Sequence, residues 1–522
     1  MLRPKGNPVK ASFITLCVAL SLSADASGAQ TKTVWADPKH DERGNLLPLQ
    51  SCGETIRRAM KFILEDQATW AKGNKITDEE GKIRPPYFFY CVAVDGQLDG
   101  AGAPVSRNTN YPAFHHAFFI HAFLDYYIYC GSQESLRRAE ELAVWNVSHS
   151  TPLDWKYGGL PYSTVHDGKA GGSVDADAIM TDKPAIMAGA YLRLHRTTQK
   201  PEYLKAAEQI ADTLARTQTP QGNWPFRVNP KTGEVREEYT SSVIYAVELF
   251  EQLDALTKQK RYAAARAKTL QWLLKGPVQS MNWNGMYEDV SKEMGRDNRT
   301  NWDCIDTACY LVRHRAEDKS YLPLAMQLHD WVKKTFVDEK HRYGPAHAVR
   351  EQLVCNCRMS GHSGHWASLL GSLYQATGEE KYRTAVVNVA SLITYHLQPD
   401  NRISLGPEWD ESQFGYWYSG QFSCVHWLID IFGQVPETAP DGENHLLRAS
   451  AIVQAIRYGS NKVSYTTDGS SSDLLKLSFR PDEIAVNGQP LAAGDGVGKG
   501  WRFDARAKVL RLVHEAGSVV IR

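Results

Sequence analysis

The chain has 522 residues, with 59 Lys and Arg against 59 Asp and Glu and 23% charged residues. A neutral balance at that density excludes the basic footprint of a nucleic-acid binder and a polybasic membrane patch. The 14 Trp and 24 Tyr supply ring faces that serve either core packing or stacking on sugars.

Arg3, Lys5 and Lys10 precede an apolar stretch from Ala11 to Ala24, and Ser27-Gly28-Ala29 makes a small-residue cleavage site before Gln30. This is the order of a secretory leader over residues 1–29. The stretch is short for a membrane span, so the expectation is an exported chain, secreted or periplasmic, with no stable membrane anchor. Residues 30–53 carry weak signals and read as an extended N-terminal segment. With Cys17 removed, eight cysteines remain, a number that permits disulfides without giving their pairing. Cys355 and Cys357 are too closely spaced for a common zinc site. No metal site and no cofactor are expected, and no motif indicates Ca²⁺.

From residue 54 to about 440 the chain repeats. Tyr203, Tyr262, Tyr321 and Tyr382 recur about every 60 residues, each just after a polar turn: HRTTQKPEY, LTKQKRY, RAEDKSY and ATGEEKY. Apolar spacings of three and four, as in Tyr203, Ile210 and Leu214, predict helices at 201–218, 259–275, 319–336 and 380–397. The helices before them, at 181–197, 239–257, 301–316 and 361–377, are apolar on more sides, as an inner layer requires. A pair at 113–131 and 132–148 and single helices at 54–72 and 416–434 bring the total to about twelve helices in six hairpins. Closing the last two on each other gives a mainly α fold, an (α/α)6 toroid. The loops that run from outer to inner helices are long and hold QGNWPF, MNWNGMYED, KHRYGPAH and RISLGPEWDESQFGYWYSG. In a closed ring they gather on one face, where a scaffold can position function. Residues 447–522 change to short β-branched runs with an Asn487-Gly488 turn signal, which predicts a small all-β, sandwich-like domain acting as support.

The tyrosines also serve as a ruler. Asp182, Ser241, Thr300 and Gly361 fall at one level, where inner helices begin, and capping or first-turn roles explain Asp182, Asn301 and Asp303. Asp306 breaks the repeat, because its equivalents are Ala188, Val247 and Ala367. A carboxylate there must be paired or functional. Glu408 and Asp410 lie in an acidic, aromatic loop before Tyr416 and Trp417, where an apolar neighbour can keep a general acid protonated. An exposed acidic turn is the alternative. His362 and His365 open one inner helix and His115 and His116 another, without the H-E-x-x-H pattern of zinc proteases. Proton transfer, or neutralising a substrate charge together with Arg107, Arg358 or Lys183, suits them better, with helix capping as the structural alternative. Phosphate-binding loops, dinucleotide fingerprints and a G-x-S-x-G elbow are all missing from the sequence.

Six hairpins, the aromatic loop face and helix-pair phrases such as GHWASLLGSLYQATGEEKYRTA resemble the six-hairpin glycosidase superfamily and the toroidal polysaccharide lyases, over residues 54–434. The resemblance implies a carbohydrate-active enzyme whose partner is a polysaccharide or oligosaccharide. As a hydrolase it needs two carboxyl groups, drawn from Asp303 or Asp306 and from Glu408 or Asp410, with Trp224, Trp283, Trp302, Trp366 and Trp417 as stacking platforms. As a lyase it would use Tyr239 or Tyr416 with His362 or His365. A histidine-based sugar epimerase and a glycan-binding toroid without activity are more distant readings. The sugar, the linkage and the oligomeric state are not encoded in any motif.

Overall fold

In the computed structural model, described for residues 33–66, 92–93, 112–163, 165–166, 169–170, 177–287, 290, 297–354, 356–407, 416–495 and 497–522, the expected ring is present. Its helices are α1 (Cys52–Lys61), α2 (Pro112–Cys130), α3 (Gln133–Ser148), α4 (Lys183–Thr198), α5 (Pro201–Thr217) and α6 (Ile244–Thr257). The ring continues with α7 (Ala263–Lys275), α8 (Trp302–Arg313), α9 (Tyr321–Phe336), α10 (Ser360–Thr377), α11 (Glu380–Thr394) and α12 (Tyr418–Gln434). The even-numbered helices form the inner layer and the odd-numbered ones the outer. The leader expected at 1–29 lies outside the described residues.

The hairpin turns are set by local chemistry. Gln199, Lys258 and Gly378 each end an inner helix in the left-handed region, at φ 62°, 56° and 73°, and Pro201 starts α5, where its missing N–H costs nothing. The tyrosine that follows each turn is a packing group. Tyr203, Tyr262, Tyr321 and Tyr382 are all buried, with Tyr203 beside Tyr191 and Tyr262 stacked on Phe250 at 5.3 Å. Ser51 caps α1 by accepting from the Glu54 N–H at 3.1 Å, the first half of a capping box.

The ring closes between α12 and α2, where Phe119 and Phe422 stack at 4.0 Å. The outer partner of α12 is α1, which reaches it through the Gln421 Nε2 donor on the Ala59 carbonyl at 2.8 Å. Residues 39–40 and 46–47 pair as a short antiparallel ribbon, and the Leu46 N–H donates to Asn388 of α11 at 2.7 Å, so the N-terminal segment is laid along the outer layer. Two expected helices differ from their reading over the described residues. The inner helix expected from 239 begins at Ile244, since 239–243 form the loop that meets 282–285, and the helix expected at 54–72 is regular only to Lys61, followed by a π turn to Asp66.

Beyond the ring, β1 (His445–Ala449), β2 (Val453–Gly459), β3 (Lys462–Thr467), β4 (Ser471–Lys476), β5 (Ile484–Val486), β6 (Gln489–Pro490), β7 (Gly500–Asp504), β8 (Val509–His514) and β9 (Gly517–Ile521) make two antiparallel sheets, in orders β1-β4-β8-β7 and β2-β3-β9-β5-β6. Their inner faces share one core that includes Leu446, Leu510, Val463 and Ile521, which is a sandwich. Asn487 (φ 52°) and Gly488 (φ 77°) make the tight β5–β6 turn that their sequence announced. The sandwich is fastened to the inner layer. Tyr129 stacks on His445 at 3.8 Å, Tyr458 donates to the Ile128 carbonyl at 2.5 Å, and Arg196 of α4 donates twice to Asp468, at 2.7 and 3.0 Å.

Among the described residues Cys52, Cys130, Cys304, Cys309 and Cys424 are free thiols. No described helix is long and apolar enough to cross a membrane.

Candidate active site

The inner helices all begin on the face that receives the long loops, and an aromatic cluster forms there. Trp302 is the first residue of α8 and lies edge-on to Phe114 of α2 (5.8 Å) and to Trp427 of α12 (6.1 Å). Phe118, Tyr245, Tyr287 and Met286 complete the cluster. Trp427 can come this close because Gly364 of α10 has no side chain: a Cβ there would sit 2.5 Å from the Trp427 Cβ.

Two histidines from the first turns of α10 enter this cluster with different partners. His362 Nδ1 is 2.8 Å from Asn301 Oδ1, and its Nε2 is 3.4 Å from the Tyr287 hydroxyl. Burial, assisted by neighbouring His365, takes the His362 pKa down to about 3, so the ring is neutral. His365 lies between Trp302 (4.4 Å) and Trp427 (4.7 Å, stacked), and its Nε2 meets Asp306 Oδ1 at 2.8 Å.

Asp306 is therefore held from two neighbouring helices, since Tyr245 of α6 also donates to its Oδ2 at 2.7 Å. It lies deep in the toroid, yet 25% of its side chain faces open space. Burial alone would raise its pKa. The His365 ring, the Tyr245 hydroxyl and the positive charge of Arg313 together take it below the ordinary carboxylate value. The carboxylate that breaks the repeat is thus an ionised group with partners and an open side.

Asp303, one turn earlier, is its opposite. It is sealed from solvent, Ser241 donates to its Oδ2 at 2.5 Å, and its Oδ1 has no hydrogen-bond partner. Burial, with the nearby negative charges of Asp182 and Asp306, pushes its pKa up to about 7. Asp182 stands at the N-cap of α4 but makes no cap hydrogen bond. Its Oδ2 takes a bond from Lys183 Nζ at 3.0 Å, and both side chains are fully buried. Lys183 Nζ also donates to the Met286 carbonyl and sits 5.1 Å above the Phe114 ring. His115, half-buried next to Phe114, is held neutral by burial and by the charge of Lys183, with a pKa of about 3.

Other expected site residues lie elsewhere. Trp224, Trp283 and Trp366 are core residues at 2%, 0% and 0% exposure and present no face to a sugar. Trp224 donates to the Leu214 carbonyl, and Trp366 stacks on His329 and donates to His347. His116 turns away from the cluster to Asn146 of α3, at 2.8 Å. The Tyr239 hydroxyl donates to the Asn282 carbonyl at 2.6 Å, with its ring toward Trp272 of α7, and Arg358 is paired with Asp338 at 2.8 Å. Arg107, Glu408 and Asp410 lie outside the described residues. Tyr416 and Trp417 form a short strand paired with residues 92–93, and their side chains also lie outside the description. The cluster residues that the sequence did not single out are Phe114, Phe118, Tyr245, Tyr287 and Trp427. An aromatic in a helix that is apolar on all sides carries no mark of which side faces the axis.

At the far end of α8, Glu251, His314 and Glu317 bring three potential metal-ligand atoms within 4.8 Å, but Arg266 already meets Glu251 at 2.9 Å.

Residues 300–474 match the family model for glycosyl hydrolase family 76. No curated protein matches the chain. Among solved structures, the chain is similar to cellobiose 2-epimerase from Spirochaeta thermophila, at 12% identity over 73% of this chain and 97% of that one, with a TM-score of 0.52. It is also similar to a D-mannose isomerase, at 14% identity over 73% and 97%, TM-score 0.51, and to a sugar epimerase from a ruminal bacterium, at 14% over 72% and 98%, TM-score 0.50. At such identities the structural likeness concerns the fold, whereas the family 76 match supports glycoside hydrolase activity. The chain thus shares the toroidal fold of these sugar epimerases and isomerases, and its segment from α8 into the sandwich is similar to glycosyl hydrolase family 76.

Proposed function

We propose that the protein hydrolyses glycosidic bonds of a polysaccharide or oligosaccharide that binds on the open side of Asp306, beside the aromatic cluster of Trp302, Trp427 and Phe114. The observation that carries this reading is Asp306, ionised, braced by His365 and Tyr245, and open on one side, within the segment matched to family 76. A carboxylate so placed either attacks the anomeric carbon or activates water, and hydrolysis needs a second carboxyl to protonate the departing oxygen. Glu408 and Asp410, which precede α12 in the sequence, supply the candidates. The leader at residues 1–29 supports action outside the cytoplasm. The sandwich acts as support, through Arg196, Tyr129 and Ile128, rather than as a second catalytic unit.

A second reading has one observation in its favour. With Nε2 committed to Asp306, the buried Nδ1 of His365 has no partner, as a base that moves a sugar C–H proton would require. The experiment separates the readings. The mature protein is incubated with neutral and uronate oligosaccharides, and new reducing ends with no unsaturated product are expected. D306N should lower kcat/KM about 10²- to 10⁴-fold with the fold retained. A product of unchanged mass would replace hydrolysis by epimerisation, and an unsaturated uronate would replace it by elimination.

A further inference from the structure

Near the aromatic cluster, three ionisable groups that the proposed hydrolysis does not use are fully buried: Asp182, Lys183 and Asp303. Each departs from the simple structural role of its position. Asp182 occupies an N-cap without capping, Lys183 is a cation at zero exposure, and Asp303 is a first-turn acid turned into the protein. Asp182 Oδ1 and Asp303 Oδ1 both lack hydrogen-bond partners. For stability alone such a cluster is a poor choice, because apolar groups of similar volume are often as good or better.

We propose that Asp182 and Asp303 share a single proton beside Lys183, which keeps Asp303 a neutral acid and thereby lets Asp306, one helical turn away, remain ionised. Asp303 is then a positioning residue that acts through Asp306 and never meets the glycan. One ammonium, one carboxylate and one carboxylic acid make the cluster neutral overall, as a buried site requires. Side chains three apart on a helix lie about 5–6 Å apart at Cβ, so a second anion at 303 would oppose ionisation of Asp306. The groups facing Asp303 agree with this. From α4 come Asp182 and Lys183, from its own helix Asp306 and the Cys304 thiol, and from the α6 side the Ser241 hydroxyl and the Tyr239 and Tyr245 phenols. The burial of Asp303 raises its pKa, and both phenols are shifted upward and stay neutral. Lys183 is thus the cation in this set, and its direct carboxylate partner is Asp182.

The inference rests on the hydrolase reading for what Asp306 does, but its test does not. Infrared pH titration of the wild-type protein, without substrate, should show a buried protonated carboxyl near neutral pH that D303N removes. No such band, or a band that survives D303N, overturns the proposal. If the wild type cleaves no glycan but shows the band, the function falls and the shared proton stands. Where turnover is measurable, D303N should stay active with the wild-type acid limb. D182N frees Asp303 to ionise against Lys183 and should move that limb up by about one pH unit, and D182N/D303N should bring it back. A folded but inactive D303N, or an acid limb that D182N leaves in place, overturns the proposal.

Discussion

An imidazole held between two indoles, as His365 is between Trp302 and Trp427, can turn little, so the direction of its Nε2 toward Asp306 is fixed before any ligand arrives. The consequence can be measured as pH dependence. His365 is the main influence holding the Asp306 pKa down against its burial, so H365Q should raise it, and the acid limb of activity should move to higher pH. Stability follows the same sign. A depressed carboxyl contributes fully above its unfolded value of roughly 3.9 and loses that contribution as pH falls through the lower folded value; in H365Q the contribution itself should be smaller, so the variant should be less stable above that range. Acid unfolding followed by fluorescence would show the smaller contribution as a less stable variant. Asp306 was legible from the sequence because it alone breaks the ruler. Its partners were not, since His365 and Tyr245 come from other helices and the ruler gives level but not facing.

The contact between α10 and α12 depends on what the sequence SGHSGHW lacks. Its histidines attract notice, while Gly361 and Gly364 set the geometry: a Cβ at 361 would meet Ser423 at 2.9 Å and one at 364 would meet Trp427 at 2.5 Å. G364A should push Trp427 from its place and lower stability by about 1–3 kcal/mol, as read by denaturant unfolding, with a loss of turnover because Trp427 backs His365. Helix lengths were readable from periodicity, but a glycine chosen for close approach looks in sequence like a weak helix former. In the sandwich a comparable hidden element joins the sheets. Tyr465 of β3 donates to Asp473 of β4 at 2.5 Å, and His514 of β8 meets the same carboxylate at 2.7 Å. Its other nitrogen faces the Glu515 carbonyl at 2.6 Å, so both ring nitrogens act as donors and the ring is charged. Burial opposes this charge, but Asp473 and the carbonyl raise the His514 pKa above its ordinary value. A raised histidine stabilises fully below its unfolded pKa of roughly 6.5 and loses that contribution as pH climbs through the folded value. Thermal unfolding of the sandwich should therefore weaken between neutral and alkaline pH, and H514Q should flatten that slope.

Over the whole molecule, the order of hairpins, the layer each helix occupies and the change to β structure near 447 were all written in local patterns. The candidate site was less so, because it is made where six chain segments meet and no segment contains it. Four hairpins are contiguous pairs on the ruler and α2–α3 is a fifth, but the sixth joins α12 to α1, with Gln421 meeting Ala59 across 362 residues. That closure gives the chain a history as well as a shape. At a synthesis rate of about 5–20 residues per second, α1 must wait roughly 20 to 70 s for its partner to be made, with Ile56 and Met60 lacking the burial they find in the finished ring. The last helix of the toroid to be translated is the one that completes the first, so every earlier hairpin forms on a ring that is still open.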